Sequence, residues 1–267
     1  MRCSKSMAGA VVLAALGLAS QLCASVTLSL NASADTFVSN GVIGGVDQSN
    51  SNYGAAGAMM VASADLGKGD MQSVIRFDTS SAKSQLDIAL GSGQWHITSI
   101  TLSNGSNFGS AGQQPNNPVF AVITKGNFDI SWMENDSWLE GAGNPMNNDT
   151  TPGVLTYNNL GSYLSADDRK LGTFTWDAPG SNIARTWNLA LDSSLVNDVS
   201  AGTAGNQTSF RYSADGTVGF LFNQRNFGAP NAPVLSITAD VPEPVAGGLL
   251  FVAFVGIGMG RRNKGAR

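Results

Sequence analysis

The sequence predicts an all-β protein: a single antiparallel β-sandwich of the jelly-roll kind, preceded by an N-terminal signal peptide and followed by one C-terminal hydrophobic helix. Three observations predict it. Apolar residues come in short runs that alternate with polar ones at period two. The runs are separated by stretches such as "NGVIGGVDQSNSN", "NGSNFGSAGQQPNNP" and "GAGNPMNNDTTPG", whose residues tolerate positive φ or pre-set turns. Long helical periodicity is missing, and no internal repeat of fixed period appears, which counts against a propeller or β-helix.

A first strand is expected over Met59–Ser63. In "QSVIRFD", Ile75 and Phe77 fall on one face and Val74, Arg76 and Asp78 on the other, as the pleat demands. Further strands are expected over Trp95–Leu102 and Val119–Thr124. "LGTFTW" sets Phe174 and Trp176 against Thr173 and Thr175, and "RTWNLAL" sets Trp187, Leu189 and Leu191 against Thr186 and Asn188. One short helix follows, the only one expected in the body, opening with Asp192 or Ser193 as its cap and packing Leu195 and Val199, four apart. "TVGFLFN" turns Val218, Phe220 and Phe222 inward, and "VLSITAD" does the same with Leu235 and Ile237. Eight to ten strands with such loops suit one sandwich domain over residues 25–240.

The two ends differ from this body. Arg2 and Lys5, an apolar run from Ala8 to Ala19 and the polar "SQLCAS" have the charge, length and order of a secretory signal peptide over residues 1–24. Cleavage is expected after Ala24, with a cut after Ser25 as the alternative; a lipoprotein reading at Cys23 is opposed by Leu22 immediately before it. Both cysteines, Cys3 and Cys23, lie in the part to be removed, so the exported chain would carry no disulfide. A core must stabilise it, and chains beyond about 150 residues bury roughly 70% of their unfolded surface.

At the other end, Val245 to Gly260 is free of charge and would span about 24 Å as a helix, short for a membrane crossing. Arg261, Arg262, Lys264 and Arg267 follow at once, as a cytoplasmic stop under the positive-inside rule would; a buried core helix is the alternative. Pro242 and Pro244 favour an extended backbone around Glu243. Gly256 and Gly260 form a GxxxG pair, which chance explains in so Gly-rich a segment.

Pro242-Glu243-Pro244, the short apolar segment 245–260 and the terminal basic cluster together resemble the PEP-CTERM sorting signal of Gram-negative, exopolysaccharide-producing bacteria. The resemblance covers residues 241–267. It implies recognition by an exosortase in the inner membrane, removal of the tail near the Pro-Glu-Pro, and delivery of the body to the cell surface or matrix. The same motif also carries an ice-binding C-terminal label, which describes the tail and not an activity.

Residues 25–240 hold 9 Lys and Arg against 18 Asp and Glu, a formal charge of −9, more acidic than the −4 of the whole chain. Such a field disfavours nucleic acid, and none is expected as a partner, because that binding rests on Lys and Arg neutralising phosphates. It suits an extracellular protein or one that attracts cations.

"ADTFVSNG", "SNYGAAGAMMVASA", "SVIRFDTSSA" and "ITSITLSNGS" are similar in order and spacing to the start of DNRLRE-type domains, extracellular sandwiches related to carbohydrate-binding modules. "WMENDSW" and "PVLSITAD" match a Trp-Glu element and closing strand of that family, although its eponymous motif is absent and residues 103–118 are an insert. The resemblance implies a jelly-roll module that binds or decorates polysaccharide, sometimes with structural calcium.

Candidate sites are few. His96 is the sole histidine and sits in the strand-like "WHITSITL" with no nucleophile motif nearby, which makes it a structural or surface residue rather than part of a triad. Glu134, Asp136 and Glu140 lie close together in "WMENDSWLE" and are the only candidates for paired-carboxylate chemistry; solvated loop acids are the ordinary reading. Trp132 and Trp138 offer indole rings for sugar stacking, against core packing. Calcium has candidate oxygen ligands in Asp35, Asp78 and Asp149, the last within "NNDT", although no D-x-D-x-D-G loop appears. No cofactor and no catalytic residue is assigned.

The expected function is therefore that of an exported, non-enzymatic surface or matrix protein, held transiently at the inner membrane, sorted by an exosortase and associated with exopolysaccharide as an adhesive module. The alternative is a secreted polysaccharide lyase or hydrolase using Glu134 or Asp136. Ice binding is a third reading, and the regular Thr-x-Thr ranks it would call for are missing from the sequence.

Overall fold

The computed structural model describes residues 24–43, 45–106, 123–144, 149, 151–177, 183–227 and 231–242. In chain order the strands are β1 (Ser25–Ser39), β2 (Val42–Ile43), β3 (Val46–Asp47), β4 (Ala58–Ala62), β5 (Met71–Asp78) and β6 (His96–Gly105). They continue with β7 (Gly126–Met133), β8 (Arg169–Trp176), β9 (Ala184–Asn188), β10 (Gln207–Asp215), β11 (Gly219–Asn223) and β12 (Val234–Asp240). Among the described residues three short α-helices, α1 (Ala82–Leu90), α2 (Tyr157–Leu160) and α3 (Ser193–Val199), lie between them.

The fold is all-β and antiparallel, and β1 organises it. Its first half, Ser25–Asn31, pairs with β12, whereas its second half pairs with β5, with a register slip between Ala32 and Ala34. The sheet runs β8-β7-β10-β5-β1-β12-β6-β9, and β4 with β11 form a flap on β5. It is nearly closed: just past β9, the Ala190 amide donates to the Leu171 carbonyl of β8 at 2.9 Å.

Inside, side chains from every wall meet in one cluster. Phe128 packs on Phe220 with centroids 4.9 Å apart and edge-on to Trp187 at 5.4 Å, and Trp176 stacks on Phe220 at 4.5 Å. Ile75, Phe77, Leu235 and Ile237 are fully buried on this side, as their alternation requires. Burying each such side chain is worth about 1.5–3 kcal/mol, so this cluster is the main source of stability in a body without cysteine.

Several expectations need correction. Val74 lies on the face opposite Ile75 and Phe77, as expected, but is fully buried there rather than solvated, because residues 134–144 and 151–164 cover the outer face of β1, β5 and β10 and build a second cluster with Trp138, Leu155 and Leu160. Leu191 is 44% exposed, since β9 ends at Asn188 and the chain turns toward α3. The helix at Ser193–Val199 is as expected, with Asp192 accepting from the Ser194 amide and Leu195 and Val199 buried, but it is not alone. α1 buries Ala82, Leu86 and Leu90, four apart, with no side-chain cap to announce it, and α2 is a single turn in a Thr156/Asn159 capping box. β11 is buried on both faces, so its alternation separates nothing. Of the strand expected over Val119–Thr124, only residues 123 and 124 are described, and Thr124 makes one bridge to Gly219.

Among the described residues no helix is long and apolar enough to cross a membrane. The expected signal peptide up to Cys23, Glu243, Pro244, the expected helix 245–260 and the basic residues Arg261, Arg262, Lys264 and Arg267 lie outside the described residues.

Candidate functional site

Residues 134–143 connect β7 to the loops over the outer face of the sheet, and they carry the acids and one of the tryptophans singled out above. Arg76 anchors them from β5. Its Nη1 donates to the carbonyls of Asp136 (2.7 Å) and Trp138 (2.8 Å), and its guanidinium lies 4.7 Å from the Trp138 ring centroid. Trp138 is fully buried and donates Nε1–H to Ser209 Oγ at 3.0 Å. Trp132, 7% exposed on β7, donates Nε1–H to Asp198 Oδ2 of α3 at 2.8 Å. Trp138 therefore has no ring face to offer a sugar and Trp132 almost none; both are packing residues whose N–H groups find acceptors, as buried indoles do.

The acids separate into three places. Glu134 is exposed, and its Oε2 accepts from Ser165 Oγ at 2.6 Å. Asp136 sits beside Ser209 with one oxygen, Oδ1, buried and without a hydrogen-bond partner. Burial pushes its carboxyl up to about 7; hydrogen bonds from Ser209 and the charge of Arg76 oppose this, while the nearby Asp198 adds to it. Asp198 is itself raised, chiefly by burial, although Trp132, Thr208 and Asn206 donate to it. The structure thus couples Asp136 to Asp198, 62 residues on in the sequence, and not to Glu134.

Glu140 joins a different group. Arg225 clamps it with Nε to Oε1 at 2.9 Å and Nη2 to Oε2 at 2.7 Å, while the backbone amide of Asp35 donates to Oε1 at 3.2 Å. Asp35, fully buried on β1, accepts from the Arg225 amide at 2.6 Å through Oδ2 and leaves Oδ1 unpartnered. Its carboxyl is pushed up to about 7 by burial, against the Arg225 amide and with repulsion from Glu140.

The other calcium candidates are taken up in turns. Asp78 Oδ1 accepts from the Ser80 amide at 3.0 Å, and Asp149 accepts from the Thr151 and Ala142 amides at 2.9 and 2.6 Å. Among the described residues, no group of three or more His, Cys, Asp or Glu is placed to hold a metal. His96 is exposed at one end of β6, across from Asp240.

Asp198, Arg76 and Arg225 were not singled out by the sequence. Arg76 alone left a signal there, an arginine between the apolar residues Ile75 and Phe77. No protein-family model matches the chain, and no curated protein matches it.

Proposed function

We propose that this is an exported surface or matrix protein, sorted by an exosortase through residues 241–267, whose body is a non-catalytic, polysaccharide-associated module with a jelly-roll-like sandwich fold. The observation that carries the reading is the ordered tail of Pro242-Glu243-Pro244, an uncharged segment and a basic cluster, starting directly after the last strand ends at Asp240. The division of β1 between two sets of partners supports the sandwich, because one long strand then serves both layers.

The test is mass spectrometry of the matrix-associated protein from a strain that carries the sorting machinery. The expected mature form starts at Ser25 or Val26 and ends near Pro244. A form still ending at Arg267, or unchanged delivery after deletion of 241–267, overturns the sorting.

A secreted polysaccharide-active enzyme is the second reading, favoured by one observation: Asp136, held near neutrality beside Asp198, has the acid strength that general acid catalysis asks for. Asp136→Asn and Asp198→Asn, assayed on neutral and acidic polysaccharides, separate the two. Absence of turnover in the unaltered protein, or turnover that survives both substitutions, removes the enzyme.

A further inference from the structure

The outer face of β1, β12, β6 and β9 is built of cross-strand ranks of small uncharged polar side chains. In the first, Thr27 stands opposite Thr238, which stands opposite Ser99. In the second, Ser29, Ser236, Thr101 and Asn188 follow one another across four strands. In the third, the order is Asn31, Val234, Ser103 and Thr186. The hydroxyls are aligned well enough to touch, Thr27 Oγ1 lying 2.8 Å from Thr238 Oγ1. Leu28, Ile237, Ile100 and Trp187, at the alternate positions, point the other way and pack in the core.

No rank contains a Lys, Arg, Asp or Glu; Asp240 stands one position beyond the first rank on β12, and Arg185, next to Thr186 at an alternate position of β9, is paired with Asp177 at 2.7 Å. This is unusual in a body of charge −9. The outer face of β7 and β8, by contrast, carries the Lys170–Asp129 ion pair at 2.8 Å. At about 4.8 Å between strands and about 6.8 Å between alternate residues, the ranks cover a patch of roughly 14 Å by 14 Å.

We propose that this face binds neutral polysaccharide, an assignment that rests on the matrix reading above and gives it a surface and a ligand class. Each Ser or Thr hydroxyl both donates and accepts, which matches a ligand made of hydroxyls whichever way it lies. The charge-free face holds nothing to pair with an ionised polymer, and the net negative body repels a polyanion. A protein partner would call for aromatic or Arg anchors, and the ranks contain one apolar side chain, Val234. A rigid crystalline lattice such as ice would need flatness. Strands rotate by about 20–25° from one to the next, and the register slip at Thr238/Ala239 ends the regular array just past the first rank, so a flexible chain can follow the surface where a lattice cannot. Exposed hydroxyl contacts compete with water and are individually weak, so short oligosaccharides bind weakly and long polymers gain by repeated engagement.

The test is affinity electrophoresis of the intact exported protein in gels containing dextran, a soluble β-1,3-glucan or alginate. Ser236→Arg, central in the second rank, and Thr101→Arg, its neighbour, put a bulky charge on the face. Ser236→Thr keeps its chemistry, and Thr173→Arg places the same charge outside it. Retardation by a neutral glucan that both Arg variants reduce at least tenfold, and that Ser236→Thr and Thr173→Arg retain, supports the proposal. If Ser236→Arg does not fold, Thr101→Arg decides. Retardation undiminished in the Arg variants overturns this face while leaving polysaccharide association standing. Retardation by alginate alone overturns the neutral ligand. No retardation by any polymer overturns both, as does ice shaping that Ser236→Arg abolishes in a protein no glucan retards.

Discussion

Arg225 grips Glu140 with two parallel hydrogen bonds, 2.9 and 2.7 Å long, tying the turn after β11 to the segment that leaves β7. Asp35 lies beneath, its amide on Glu140 and its carboxylate on the Arg225 backbone. Removing one partner of a buried pair costs about 3–5 kcal/mol, but Arg225 is 37% exposed, so water screens the loss. Arg225→Ala is expected to lower stability by about 1–2 kcal/mol, and Glu140→Ala by more, because the Asp35 amide then loses its acceptor too. Urea unfolding midpoints of the two variants check the order.

Asp35 and Asp136 set a pH dependence opposite to that of ordinary surface carboxylates. Both titrate near 3.8 when unfolded and are raised to about 7 in the fold, chiefly by burial. Between those values the folded protein holds protons the unfolded chain has released, so stability is greatest at the acid end and falls as pH rises through about 7. Asp47, Asp78 and Asp149, lowered by hydrogen bonds from Ser49, Ser80 and Thr151, act in the other sense, with stability lost only as pH falls below 3.8. The unfolding midpoint at about pH 5 is expected to exceed that at about pH 7.5, and Asp35→Asn, which keeps an acceptor for the Arg225 amide, to flatten the difference. A midpoint that climbs with pH across this window contradicts the assignment.

Trp138 fills the second cluster, with Arg76 on its face and Ser209 on its N–H. Trp138→Ala is expected to destabilise by about 3–5 kcal/mol, the usual cost of emptying an aromatic site. Polysaccharide retardation by the folded fraction stays unchanged. A large loss of binding at wild-type stability would instead make the indole a contact.

Gly143 permits a close crossing: a Cβ there would stand 1.9 Å from the Asn52 carbonyl oxygen, and backbone cannot step aside as a long side chain does. Asn52 is fully buried and bonds the Leu155 carbonyl at 2.8 Å, so a shift spreads into the loop cover. Gly143→Ala is expected to cost at least about 1–3 kcal/mol, read as a drop in the thermal midpoint.

Strands with one face in the core were legible. In β12, Leu235 and Ile237 are fully buried while Ser236 and Thr238 are partly exposed, and alternation alone says so. β5 was half legible, since the cover over Val74 and Arg76 comes from a distant segment that no local pattern announces. The Asp35, Glu140 and Arg225 group joins residues 85 to 190 positions apart. The hydroxyl ranks escape a search for Thr-x-Thr repeats for the same reason, because Thr27 meets Thr238 across 211 residues.

Ser25, the first residue of β1, lies opposite Asp240, the last of β12, and the Val241 amide donates to the Ala24 carbonyl at 3.1 Å. The first strand of the sheet to be made thus waits for the last one. Until β12 is in place, half of β1 has no neighbour on that side, and the barrel-like wall stands open along a seam. Closing so long a loop is entropically slow, so completion of the wall is a late, all-or-none event timed by β12 rather than by β1.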